Sequence, residues 1–217
     1  IDGNQFDTIY HEHFSYFSFL AVERIFARHG MTVFDVEELP THGGSLRIFA
    51  RHSSNTGAAC ATTTRVDAMR RKEEEAGLTR METYSNFAGR VTNTKHRLLE
   101  FLIEAKETGR TVAAYGAAAK GVTLLNYCGA GRDLIDYVVD KSHHKQNHYM
   151  PGLRIPIHPP DHVLRTRPDY LLILPWNLAT EISTEMTEIR EWGGRFVVPI
   201  PTLRVLDPRA RRFAKPA

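Results

Sequence analysis

The run Thr111-Val112-Ala113-Ala114-Tyr115-Gly116-Ala117-Ala118-Ala119-Lys120-Gly121-Val122-Thr123-Leu124-Leu125-Asn126-Tyr127-Cys128 reads as a strand, a tight loop and a helix. We expect an apolar strand at Thr111–Tyr115, a loop of small residues at Gly116–Gly121 and a helix at Val122–Cys128. The alternation repeats downstream. A strand at Leu134–Val139 ends in Asp140, a short helix falls near Asp161–Thr166, and a strand follows at Tyr170–Leu174. A helix at Leu178–Trp192 and a strand at Arg195–Ile200 complete the pattern. Near-continuous apolar strands alternating with helices imply a parallel sheet covered on both faces. Residues 110–206 are therefore expected to form an α/β, Rossmann-like domain with its first strand central.

Upstream the pattern changes twice. Residues 1–60 open with an aromatic and His-rich stretch, continue into a helix at Phe19–His29 stopped by Gly30, and end in two strands, Met31–Leu39 and Ser45–Arg51. This helix and β-hairpin have nothing obvious to pack against and look like a domain's ending without its beginning. Residues 61–109 read as a helical connector. Its first helix, Thr62–Gly77, is polar enough to be solvated, and its second, Met81–Thr108, carries Phe87, Val91, Leu98, Leu102 and Ala105 near helical spacing. Residues 207–217 are a basic tail.

Composition narrows the function classes. The chain has 217 residues, 42% of them hydrophobic and 24% charged, which excludes collagen, a disordered tail and a disulfide scaffold. No apolar run reaches the roughly 20 residues of a membrane span, and no basic-then-apolar leader precedes the first helix, so a cytoplasmic protein without a membrane partner is expected. Cys60 and Cys128 are too sparse for a zinc site or a staple, which suits reduced thiols. A net charge of +3 fits an anionic small ligand and falls short of a nucleic-acid stripe.

Three places carry chemistry. At the Gly116–Gly121 loop, small residues let the backbone approach a ligand, the helix N-terminus offers N–H groups, and Lys120 adds a cation for phosphate. Asp140, 24 residues beyond Gly116, stands where such folds hold a ribose hydroxyl. The loop is neither G-x-G-x-x-G nor a Walker loop, so a phosphate-bearing ligand and a merely tight structural turn both remain open. The second place is Tyr10-His11-Glu12-His13, where a His beside a carboxylate can take a proton from carbon or oxygen. The alternatives are a surface loop or a His11/His13 metal pair. Two His at i, i+2 without a third ligand make a poor site, so no metal is expected. The third is the section after Asp140, where Lys145 stands among His143, His144 and His148 and serves either a ligand or a solvated loop. Trp176, just after the strand Tyr170–Leu174, either stacks on a base or fills the core.

Taken together these strings resemble the sugar C-methyltransferases that methylate carbon 3 of a dTDP-linked 4-keto-deoxysugar. The signatures are F-D-T-I-Y-H-E-H-F-S-Y at Phe6–Tyr16, T-H-G-G-S-L-R at Thr41–Arg47 and Y-G-A-A-A-K-G at Tyr115–Gly121. L-N-Y-C-G at Leu125–Gly129, P-G-L-R-I-P-I at Pro151–Ile157 and L-P-W-N at Leu174–Asn177 are collinear with them. The resemblance implies a parent enzyme with a zinc module, a domain for the methyl donor S-adenosylmethionine (SAM) and a C-terminal Rossmann-like domain.

This chain lacks the zinc-binding cysteines and the G-x-G loop for SAM, and it starts at Ile1. The resemblance therefore implies the back half of the enzyme. Residues 1–60 would close the SAM domain, the N-terminal half would hold SAM, and the isolated chain would be inactive. The implied site has His13 as base, Glu12 as its partner and Tyr10 as a hydrogen-bonding or enolate-stabilising group. His42, Arg47, Gly116, Lys120, Asp140, Lys145 and Trp176 are expected to bind the nucleotide-sugar substrate. Two other readings compete: a non-catalytic nucleotide-binding module, and an NAD-linked oxidoreductase half, against which the missing second glycine of the loop counts.

Overall fold

A computed structural model describes residues 1–55, 57 and 61–206; Cys60 and the basic tail 207–217 lie outside the described residues. The chain divides into two compact units, Phe14–Ala88 and a discontinuous unit of Ile1–His13 with Gly89–Ala217. These boundaries differ from the 1–60, 61–109 and 110–206 division expected above, and one of them falls inside a helix.

In the Phe14–Ala88 unit, helix α1 (Phe19–Arg28) leads into the antiparallel hairpin of β1 (Met31–Leu39) and β2 (Ser45–His52), and α2 (Thr64–Glu75) follows. Ser18 caps α1 by accepting the Ala21 N–H, and Gly30, at φ +67°, takes the left-handed turn after the helix. The hairpin does find a partner. Val66 and Met69 of the polar α2 bury against Phe19, Val33 and Val36, with Phe26 and Ile48 packed on the same cluster. The helix expected to be solvated thus hides one apolar stripe, and its Glu73 is buried beside it.

The 27-residue α3 (Met81–Glu107) runs across the unit boundary. From Val91 onward it buries Thr94, Leu98, Leu102 and Ala105 at helical spacing. The other elements of the discontinuous unit are β3 (Val112–Tyr115), α4 (Ala119–Cys128), β4 (Tyr137–Val139), β5 (Ile157–His158), α5 (Asp161–Thr166), β6 (Tyr170–Ile173), α6 (Ala179–Glu185), β7 (Arg195–Val198) and β8 (Arg204–Val205).

The strands form one sheet in the order β5-β4-β3-β6-β7-β8, parallel except for β8, which pairs antiparallel with β7. This is the expected α/β, Rossmann-like sheet, with β3 internal. Every side chain of β3 is buried, because both faces are covered. One face packs Ala113, Tyr115, Val139, Leu171, Ile173 and Phe196 against Val163, Ile182, Met186 and Ile189. By strand alternation Val112, Ala114, Val138, Leu172 and Val197 point to the other face.

Several expected elements come out shorter. The strand at Leu134–Val139 begins only at Tyr137, because the Leu134 and Ile135 N–H groups turn back to the Gly131 carbonyl. The helix at Leu178–Trp192 is α6 flanked by tighter 3-10 turns at Trp176–Leu178 and Thr187–Trp192. It breaks at Met186, yet Ile182, Met186 and Ile189 keep their buried spacing through the break. The strand at Arg195–Ile200 stops at Val198, and the two-residue β5 forms where no strand was expected. Among the described residues no helix is long and apolar enough to cross a membrane.

Candidate active site

After β3 the chain runs to β4 and β5 on one side, then returns to β6 on the other. The gap between the carboxyl ends of β3 and β6 is therefore the sheet's switch point, where open α/β sheets bind ligands. The loop after β3 is shorter than expected. Alanine is the best helix former, and α4 already begins at Ala119, so Lys120 and Gly121 lie in its first turn.

The glycines have a packing reason. Gly116, at φ +93°, lies so close to Pro175 that a Cβ would sit 2.5 Å from its Cδ. A Cβ on Gly121 would sit 2.9 Å from Leu174 Cβ. The close approach of the two switch-point loops accounts for both residues without a ligand. What remains for a ligand is the α4 N-terminus, which Ala118 cannot cap with a side chain.

Asp140, one residue past β4, faces this loop from the other side. Its Oδ2 accepts the Ala117 N–H at 2.8 Å and pairs with Lys145 Nζ at 3.3 Å, while Oδ1 accepts the Ser142 N–H at 2.8 Å. Asp140 and Lys145 are thus brought together, and the carboxylate braces the loop backbone. His143 bonds Gln146, and His144 and His148 are exposed.

Lys120 and Trp176 also meet. Lys120 Nζ donates to Asn177 Oδ1 at 2.8 Å and stands 4.5 Å from the centroid of the Trp176 ring, a cation–π contact. Trp176 is half-buried, between the two roles expected for it. Its indole N–H donates at 2.7 Å to Asp7 Oδ2. Asp7 is 0% exposed, and its Oδ1 has no hydrogen-bond partner. Burial pushes the Asp7 carboxyl up to about 6, against the Trp176 hydrogen bond and the Lys120 charge, which pull it down. Burial likewise lowers the Lys120 ammonium from the usual lysine value, and the Asp7 charge opposes that shift.

Asp7 lies in a 3-10 turn at Phe6–Thr8 that packs on α4, where the Phe6 and Tyr127 rings meet edge-on at 5.1 Å. The Tyr10–His13 segment follows directly and belongs to the same unit as the switch point. It closes a turn through the His13 N–H and the Tyr10 carbonyl. The two rings lie 4.3 Å apart between centroids, and His13 Nδ1 is 2.9 Å from the Thr8 carbonyl. A carbonyl can only accept, so Nδ1 carries the proton and the neutral ring has its lone pair on Nε2. The orienting hydrogen bond at Nδ1 thus comes from Thr8, where Glu12 was expected as partner; His11, Glu12 and His13 are all exposed.

His42 and Arg47 belong to the other unit. His42 is exposed in a 3-10 turn at φ +56°, and Arg47 is exposed and paired with Glu37 at 3.2 Å. Among the described residues no group of three His, Cys, Asp or Glu gathers as metal ligands. Cys128 is a free, buried thiol pushed up to about 11 by burial, a packing residue and no nucleophile. Sequence reasoning passed over Asp7, Thr8 and Asn177. Asp7 stood inside the quoted F-D-T string, but nothing local marks a carboxylate whose partner lies 169 residues away.

A family model described as C-methyltransferase C-terminal domain matches residues 40–201. C-methyltransferase NovU of Streptomyces niveus is 41% identical over 207 residues, covering 95% of this chain and 49% of the relative. The chain therefore spans about half the length of that relative. With three quarters of its residues under the family model and this identity along nearly all its length, the chain belongs to the C-methyltransferase C-terminal domain family.

Proposed function

We propose that the chain is the C-terminal half of a cytoplasmic enzyme that methylates C3 of a nucleotide-linked 4-keto-deoxysugar, dTDP being the expected nucleotide. The C4 ketone acidifies the C3 proton, and His13 accepts that proton at Nε2. The observation that carries this reading is the His13 ring, held at Nδ1 by the Thr8 carbonyl and alongside by Tyr10, so that Nε2 is the basic nitrogen. Tyr10 donates to the developing enolate oxygen, and Glu12 stabilises the imidazolium once it forms. Lys120 and the open N-terminus of α4 receive the pyrophosphate, with Asn177 and the Trp176 face holding the ammonium in place until a ligand takes it.

SAM supplies an electrophilic methyl group in such enzymes. The residues of this chain do not fit it. Asp140, the acid placed to hold an adenosine ribose, already accepts two backbone N–H groups and pairs with Lys145, and the loop has no second dinucleotide glycine. The donor site is therefore assigned to sequence beyond these 217 residues, and the chain alone is expected to bind dTDP without transferring methyl.

Deuterium exchange tests the base. In the full-length gene product, His13→Ala is expected to slow exchange at C3 of the 4-keto-sugar by about 10²–10⁴-fold, with substrate affinity changed less than about threefold. Exchange at the wild-type rate would remove His13 from the role. In the isolated chain, Lys120→Ala should weaken dTDP binding by about tenfold in a calorimetric titration.

A further inference from the structure

We infer that Asp7 is a positioning residue for the candidate base: its carboxylate, hydrogen-bonded to the Trp176 indole, pins the Phe6–Thr8 turn whose Thr8 carbonyl holds His13. The inference rests on the reading of His13 as the proton acceptor.

The links are short and all lie in one unit. Trp176 follows β6 at the switch point, beside Pro175, which Gly116 packs against. Its indole N–H reaches Asp7 at 2.7 Å. Asp7 is the middle residue of the turn, and the next residue, Thr8, is fixed at both ends. Its hydroxyl donates to the Gln5 carbonyl at 2.8 Å, and its own carbonyl meets His13 Nδ1 at 2.9 Å. A displacement of Asp7 therefore reaches the imidazole through one peptide unit and one hydrogen bond.

The alternative is that Asp7 is only a staple for the turn, and the arrangement argues against it. Phe6 already anchors the turn, buried and packed on Tyr127, and a leucine at position 7 would extend that apolar anchor. Instead the turn buries a carboxylate with one oxygen on the indole and the other on nothing. The charged group facing it is Lys120 of α4, which gives its hydrogen bond to Asn177. A buried acid satisfied on one side costs stability, and among the described residues the Trp176 indole is what ties this carboxylate to the loop after β6.

The experiment combines ring resonances with exchange kinetics. In the 217-residue chain, Trp176 and Trp192 give two indole N–H signals, and Trp192, bonded to the Pro168 carbonyl, reports folding. Asp7→Leu is expected to shift the Trp176 indole and the His13 ring signals while Trp192 stays in place. Asp7→Asn keeps an acceptor for the indole and should restore the His13 signals. In the full-length enzyme, Asp7→Leu should lower the rate of C3 deuterium exchange by about 10²-fold with KM changed less than about threefold, and Asp7→Asn should recover most of that loss.

Unchanged His13 signals and exchange in Asp7→Leu would overturn the proposal, and so would an Asp7→Asn as poor as Asp7→Leu. If Asp7→Leu does not fold, Trp176→Phe removes the same bond from its other end and must displace His13 likewise. Displaced His13 signals, with no exchange in the wild-type enzyme, would uphold the positioning and sink the base assignment instead.

Discussion

Among the described residues each unit buries one acidic side chain without an ion pair, and the two are handled in opposite ways. Glu73 of α2, 8% exposed, gives both oxygens to the start of α1, accepting the Phe19 N–H at 2.7 Å and the Leu20 N–H at 2.9 Å. Those N–H groups have no partner inside their own helix, and the positive end of the helix faces the carboxylate. Asp7 gives one oxygen to Trp176 and leaves the other unpartnered. The first arrangement is what a fold does with a buried charge to hold two elements together. The second is what it tolerates beside the switch point proposed to receive the nucleotide.

The sharpest break of this contrast is Glu73→Ala. It strands two buried N–H groups and removes two charge-assisted hydrogen bonds, so urea unfolding of the Phe14–Ala88 unit should show a loss of about 4 kcal/mol. A loss below about 1 kcal/mol would mean that the α1 start is held by Ser18 alone.

Asp7→Asn should act in the reverse sense. Folding raises this carboxyl from its ordinary 3.8 to about 6, so between those values the folded chain binds more protons than the unfolded one. The stability associated with Asp7 is present in full below about pH 4 and falls as pH rises to about 6. Thermal melts of Asp7→Asn and wild type should coincide at pH 4 and separate by pH 7, the variant being more stable by at most about 3 kcal/mol. A difference that does not change with pH would mean that Asp7 is not strained by burial.

Asp35, in the hairpin, sharpens the comparison from the other side. The Arg65 guanidinium, then the Thr63 hydroxyl, hold its carboxyl down to about 2. Its contribution is present above about pH 4 and is lost as pH falls through about 2. Asp35→Asn should therefore lower the melting temperature at pH 7 and match wild type near pH 2, the mirror image of Asp7→Asn. The smallest effect belongs to Arg47→Ala. Its exposed pair with Glu37 should change stability by less than about 0.5 kcal/mol, so any loss of substrate affinity in the full-length enzyme would be a binding effect.

Much of this was legible along the chain. The run from Thr111 to Cys128 declared a buried strand, a close-approach loop and a helix by composition alone, and the structure has all three. Limits of elements were less legible where hydrogen bonding competed with pattern. Periodicity continued through Met186 because Ile182, Met186 and Ile189 stay on one face whether the backbone is α or 3-10. The same blindness hid the work of α2. Three inward positions, Val66, Met69 and Glu73, are enough to close the hairpin's core, and a helix average dominated by Arg and Glu conceals them.

The sequence by itself determined the α/β alternation and the place of the switch-point loop, and it singled out the Tyr10–His13 segment as a candidate for proton chemistry, since these follow from neighbours a few residues apart. Only the tertiary structure decided which unit carries that segment, which group orients His13 and where Asp7 finds its partner. The first and last depend on contacts between Ile1–His13 and residues beyond Gly89, and the second on a turn that brings the Thr8 carbonyl back to His13; burial and hydrogen-bond satisfaction belong to such contacts, not to the residues that make them.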